Sequence, residues 1–266
     1  MTVAGEANWE LAECASRGGR LLRASDLVAR FGGHPAARLG IDLEASDGPG
    51  RWLVAACLYG GRIDDEIAFA ATRALDAAGL AEPISIALAR PEALEALLLD
   101  TGYPAPDRTA FRIWRACDSL ATDYGGSLDS LAAQSEQLED FAGRLARLAP
   151  GFGAASVARF LRPLRDRWVQ AREIPLHPAA RAAAIHLGLL GEGEDTEGEP
   201  GALRAALRED AEQPSLADVE SALLRIGTVA CAKNRTARCP LGDACPSRAG
   251  GSQTLEWNGT ATTPSE

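Results

Sequence analysis

The stretch "LARLAPGFGAASVARFL", residues 145–161, decides how the chain is read. Apolar residues recur at helical spacing on both sides of Pro150-Gly151-Phe152-Gly153, so the stretch predicts a helix, a tight turn and a second helix. Glycine accepts positive φ and carries no side chain to hold off a close neighbour. The start of the second helix presents unpaired N–H groups and the positive end of its dipole, an arrangement suited to phosphate. The same residues would also make a plain corner between two helices, so the reading depends on what surrounds them.

Outward from the hairpin the helical period dominates, with alanine and leucine abundant and no convincing period-two runs. Helices are predicted around 8–30, 51–59, 63–79, 92–100, 107–123, 127–131, 135–148, 154–170, 178–189, 201–209 and 215–227, which makes the protein all-α. Breakers fall at "EASDGPGR" (44–51), "GYPAPD" (102–107), "YGGS" (124–127) and the acidic "GEGEDTEGEPG" (191–201). Residues 248–266 have the composition of a disordered tail. "HPAAR" occurs at 34–38 and again at 177–181, and in so alanine-rich a chain the repeat is read as chance.

The 266 residues suffice for a substantial core, and 46% hydrophobic with 24% charged residues is ordinary for a globular protein. No apolar run approaches the roughly 18–20 residues that span a bilayer, and "MTVAGEANWE" lacks a signal-peptide pattern, so no membrane association and a cytoplasmic location are expected. A net charge of −10 argues against non-specific coating of nucleic acid, which needs clustered basic residues. Any DNA contact must come from a local basic face. Arg159, Arg162 and Arg165 recur at i, i+3 and i+6 after the hairpin and are predicted to share one side of a helix, with Arg167 and Arg172 nearby. Lys233 is the single lysine among 27 basic residues.

Cys14, Cys57 and Cys117 stand alone in apolar contexts and read as core. Cys231, Cys239 and Cys245 crowd the polar stretch "CAKNRTARCPLGDAC" and read as soft-metal ligands. That stretch resembles the iron–sulfur loop of the endonuclease III and adenine-glycosylase branch of the helix-hairpin-helix DNA glycosylases. The family pattern is C-x6-C-x2-C-x5-C; here the spacing is C-x7-C-x5-C, with one middle cysteine missing. "LAPGFGAAS" is similar to the family's leucine-proline-glycine-x-glycine hairpin, and "IPLHPAARAAAIHLGLL" (174–190) to the segment carrying its catalytic aspartate. "WLVAACLYGGRIDDEIAFAATRAL" is similar to the first barrel helices and "GYPAPDRTAFRIWRAC" to a later helix, so the likeness runs in order over about residues 50–246.

The resemblance implies a two-lobed all-α fold: a helical barrel over 50–168 ending in the hairpin, and a second lobe from residues 1–49 and 169–247, with 248–266 as a tail. It implies duplex DNA, damaged or not, as the partner. Pro150, Gly151, Gly153 and Ala154 would contact its phosphates, with Arg159 and Arg162 beside them and Arg62 near the base stack. It also implies a 4Fe-4S cluster on Cys231, Cys239 and Cys245, with Thr236, Asp243 or water in the fourth position. The alternatives are zinc (Zn) or a bare loop.

Two of the family's catalytic positions are altered. The Schiff-base lysine of the bifunctional members corresponds to Ala155, so lysine-dependent strand cleavage is not expected. The aspartate corresponds to His177, and an imidazole cannot supply the permanent negative charge that an oxocarbenium-like transition state requires. A shifted register brings Glu173 near the same position. His177 has a plainer reading as a helix cap. The expected function is a DNA-binding, repair-related protein with glycosylase and lyase activity lost or altered. The alternatives are a monofunctional glycosylase using Glu173 and a protein-interaction module.

Overall fold

The computed structural model describes residues 23–60, 63–191, 198–208, 212–233, 235–242 and 245. Among the described residues there are thirteen α-helices and no strand. They are α1 (Ala24–Phe31), α2 (Pro35–Leu39), α3 (Gly48–Leu58), α4 (Asp65–Ala77), α5 (Pro83–Leu88), α6 (Pro91–Asp100), α7 (Pro106–Tyr124), α8 (Leu128–Ala133), α9 (Leu138–Arg147), α10 (Ala154–Leu161), α11 (Pro178–His186), α12 (Glu199–Leu207) and α13 (Leu216–Val229). None is long and apolar enough to cross a membrane. The all-α expectation is met.

Seven of these helices begin with proline in the first two positions, where a missing N–H costs nothing and the fixed φ already suits a helix. Two of them, α2 and α5, have no counterpart in the predicted elements: each is one or two turns long and opens on a proline, which reads as a breaker, whereas the equally short α8 has none and was read. The helix predicted over 154–170 stops at Leu161 and tightens into a 3-10 turn at Arg162–Leu164, where Pro163 can donate no hydrogen bond. The glycine-rich stretch 191–201 lies partly outside the described residues, and its end is already helical from Glu199. The predicted tail, 248–266, lies wholly outside them.

The buried apolar side chains form two clusters. One runs from Ala36 to Ile174 and is centred on α3, α7, α9 and α10, with Trp52, Phe141, Phe152 and Phe160 the largest of its fully enclosed apolar side chains. The other joins Ala24 and Leu27 of α1 to α11, α12, α13 and the three loop cysteines. Ala36, Leu39 and Ile41 pack in the first cluster, so the N-terminal segment is shared between the two rather than belonging to the second alone. Ala171 and Ile174 likewise lie with the first.

The two copies of "HPAAR" are one device used twice. His34 and His177 are each an N-cap whose Nδ1 accepts from the backbone N–H two residues on, at 3.3 Å from Ala36 and 3.1 Å from Ala179. Each histidine's own backbone N–H donates to a carboxylate of α13: His34 to Asp218 Oδ1 at 2.7 Å, His177 to Glu220 Oε1 at 2.8 Å. The repeat therefore anchors two helix starts to one helix, and the reading of it as chance is corrected.

Candidate functional site

Leu148, Ala149 and Phe152 are buried and hold the hairpin between α9 and α10 against the first cluster. Phe152 N donates to Ala149 O at 3.1 Å, closing the turn. Gly151 sits at φ +79°, a left-handed conformation that only glycine adopts without strain. Gly153 is the N-cap of α10 and offers no side-chain cap. Pro150, Gly151, Gly153, Ala154 and Ala155 are all exposed, and a Cβ on either glycine would meet nothing within 4 Å. The amides at the start of α10 lie before its first internal hydrogen bonds, from Ser156 and Val157 to Gly153 O. They form an open, unobstructed helix start.

The basic stripe expected after the hairpin is broken up by the end of α10. Arg165 turns inward and is 1% exposed, donating to Glu220 Oε2 at 2.5 Å and to the carbonyls of Ile174, Arg162 and Pro175. Arg162 pairs with Glu220 at 3.4 Å and donates to Pro175 O at 3.0 Å. Arg167 pairs with Asp129 at 2.8 Å. Arg159 alone of the four makes no hydrogen bond or ion pair among the described residues. It is half-buried; burial lowers its affinity for the proton, Cys57 opposes this, neighbouring Arg112 adds a smaller lowering and Tyr103 a still smaller rise.

Glu220 is the centre of this junction. It is buried on α13, and its two oxygens accept from Arg165 on one side and the His177 amide on the other. Both oxygens being occupied, it holds α11 against the segment after α10 rather than acting as a free base. His177 is half-buried; burial, then Arg162, push its pKa down, Glu220 opposes them and Arg159 adds to the lowering. Its Nδ1 is committed to the cap, so the neutral ring carries its proton on Nε2.

Glu173 is exposed, and no hydrogen bond or ion pair joins it to Arg159, Arg162 or His177. Arg62 lies outside the described residues. Asp64 is the N-cap of α4, its side chain accepting from Glu66 N at 2.8 Å, so the helix predicted from residue 63 begins at Asp65. Tyr59 is buried beside Trp52, and Cys57 and Cys117 are buried, as read; Cys14 lies outside the described residues. The sequence reading missed Glu220, Arg112 and Tyr103. Glu220 carried a signal: in "ADVESALLRIG" it sits next to Val219 and three residues before Leu223, an acid on a face whose period predicts core.

Cys231, Cys239 and Cys245 are all buried in the second cluster. Burial pushes the Cys231 thiol up to about 11, and Cys239 and Cys245 push it the same way, so the three thiols lie within reach of one another's charge. Among the described residues no group of three or more His, Cys, Asp or Glu side chains is placed to hold a metal ion. Asp243 and the side chain of Thr236 lie outside the described residues. Three thiols are one fewer than a closed four-cysteine site requires.

No protein-family model matches the chain, and no curated protein sequence matches it.

Proposed function

We propose that this chain is a divergent endonuclease III-like protein of DNA repair that grips duplex DNA through the hairpin at 150–154, with base excision and lyase chemistry lost or altered. The observation that carries the reading is the hairpin tip itself, a left-handed Gly151 and an exposed, uncapped start of α10 with nothing in front of it. Backbone amides in that setting bind anions without needing a basic surface, which reconciles DNA contact with a net charge of −10. Ala155 supplies no amine and His177 no negative charge at the two positions where the family's chemistry would act. Glu173 gives a glycosylase reading less support, because it is exposed and joined to none of the basic residues around Glu220. A 4Fe-4S cluster on Cys231, Cys239 and Cys245 belongs to the same proposal, and bound it would order the loop after α13; no chemical step is assigned to it. Iron and acid-labile sulfide in anaerobically purified protein are the expected result there, whereas protein free of both would remove the cluster from the proposal.

The test of the grip is Ala155→Glu. A carboxylate in the first turn of a helix suits the dipole, so stability holds, but the same charge repels a phosphate at the hairpin. Duplex binding is expected to weaken by about tenfold or more with the thermal midpoint unchanged; unchanged binding would contradict the hairpin's role.

A further inference from the structure

Arg112 of α7 and Arg159 of α10 converge on the C-terminal end of α3. Arg112 Nη2 donates to Cys57 O at 3.0 Å, while its Nε is buried with no acceptor. The Arg159 Nη1 lies 2.8 Å from where a Cβ on Gly60 would stand. Tyr103 borders the same place, its hydroxyl donating to Leu58 O at 2.9 Å. Cys57 is buried there as a protonated thiol, burial holding its pKa at about 11. No carboxylate among the described residues pairs with either arginine, and Glu220, the buried acid nearby, is committed to Arg165, Arg162 and the His177 amide.

Both arginines are only partly withdrawn from water, but the enclosed Arg112 Nε lacks an acceptor and neither guanidinium has a counter-charge, which is unfavourable. The C-terminus of α3 supplies roughly half a negative charge through its dipole, which leaves more than one positive charge unmatched. The planar forks of arginine suit phosphoryl oxygens. A phosphodiester carries one negative charge, whereas a phosphate monoester carries about −1.5 to −2 at neutral pH, closer to what two arginines lack. The geometry points to a binding site for a phosphate dianion, held by Arg112 and Arg159 at the end of α3. Two sources share this chemistry: free phosphate, or the terminal phosphate of a broken strand. The second rests on the DNA reading above; the site itself does not.

The experiment is calorimetric titration of the full chain with inorganic phosphate, and with nicked duplexes bearing either a 5′-phosphate or a 5′-hydroxyl at the nick, beside intact duplex. Arg159→Gln is the variant, because Arg159 makes no hydrogen bond whose loss would unfold the protein; Arg112→Gln is the second. Saturable phosphate binding that Arg159→Gln weakens by about tenfold or more, at an unchanged thermal midpoint, is expected. Tighter binding of the 5′-phosphate nick than of the 5′-hydroxyl nick, lost in the variant, assigns the site to strand ends. Phosphate binding with no such preference supports the site and assigns it to free phosphate. No phosphate binding, or binding insensitive to Arg159→Gln, overturns the proposal. Intact duplex reports on the hairpin separately, so either reading can fail alone.

Discussion

His34 and His177 show how much a single residue type is asked to do. Each caps a helix through Nδ1 and so must stay neutral to accept a hydrogen bond. Burial drives the His34 pKa down to about 4, against the opposing charge of Asp218 and with a smaller push from Arg225. An unfolded chain takes up that proton near pH 6.5, so between about 6.5 and 4 the unfolded state binds more protons than the folded one. Stability present above pH 6.5 is therefore lost as the pH falls to 4, by about 3 kcal/mol for His34, and His177 acts in the same direction. In urea unfolding at pH 7 and pH 4.5, His34→Asn, which keeps a capping side chain, should lose less stability on acidification than the parent protein. Equal losses would contradict the account. Little of this was legible beforehand: the cap at His177 stood among its sequence readings, but its twin at His34 required seeing that both amides end on carboxylates of α13.

At the scale of elements, the sequence displayed the long helices and the short α8 but concealed α2 and α5. A ten- to nineteen-residue helix such as α7 or α9 shows several turns of its period, whereas α2 and α5 are one or two turns begun by proline. The end of α10 was also hidden, although Pro163 marked it, because the arginine spacing continued through it. The element contact least visible in sequence is the crossing of α11 on α13. A Cβ on Gly227 would stand 1.8 Å from Ala179 O, so the two backbones touch where no side chain fits. Gly227→Ala should destabilise the protein by about 1–3 kcal/mol or more, since backbone and not a flexible side chain must move. Chemical denaturation checks this, and a change under 0.5 kcal/mol, the usual size at an unconstrained surface position, would contradict the close crossing.

For the whole molecule, the two apolar clusters meet over charged and polar contacts. Arg165–Glu220 and Arg204–Asp166, at 2.9 Å, bind the segment after α10 to α13 and α12, and His177 is fixed to the same junction through Glu220. The hairpin was readable because its glycines, proline and flanking periods are local; the junction was not, because Arg165 and Glu220 lie 55 residues apart and nothing in either local pattern names the other as its partner. In the proposed function the hairpin grips DNA through its amides and not through a basic surface. The direct measurement is the affinity of the purified protein for a duplex carrying an abasic-site analogue and for the same undamaged duplex, at two salt concentrations. Preferential binding of the analogue, weakening as salt rises, is the predicted result. No binding to either duplex at low salt would make residues 150–154 a corner between helices and contradict the account.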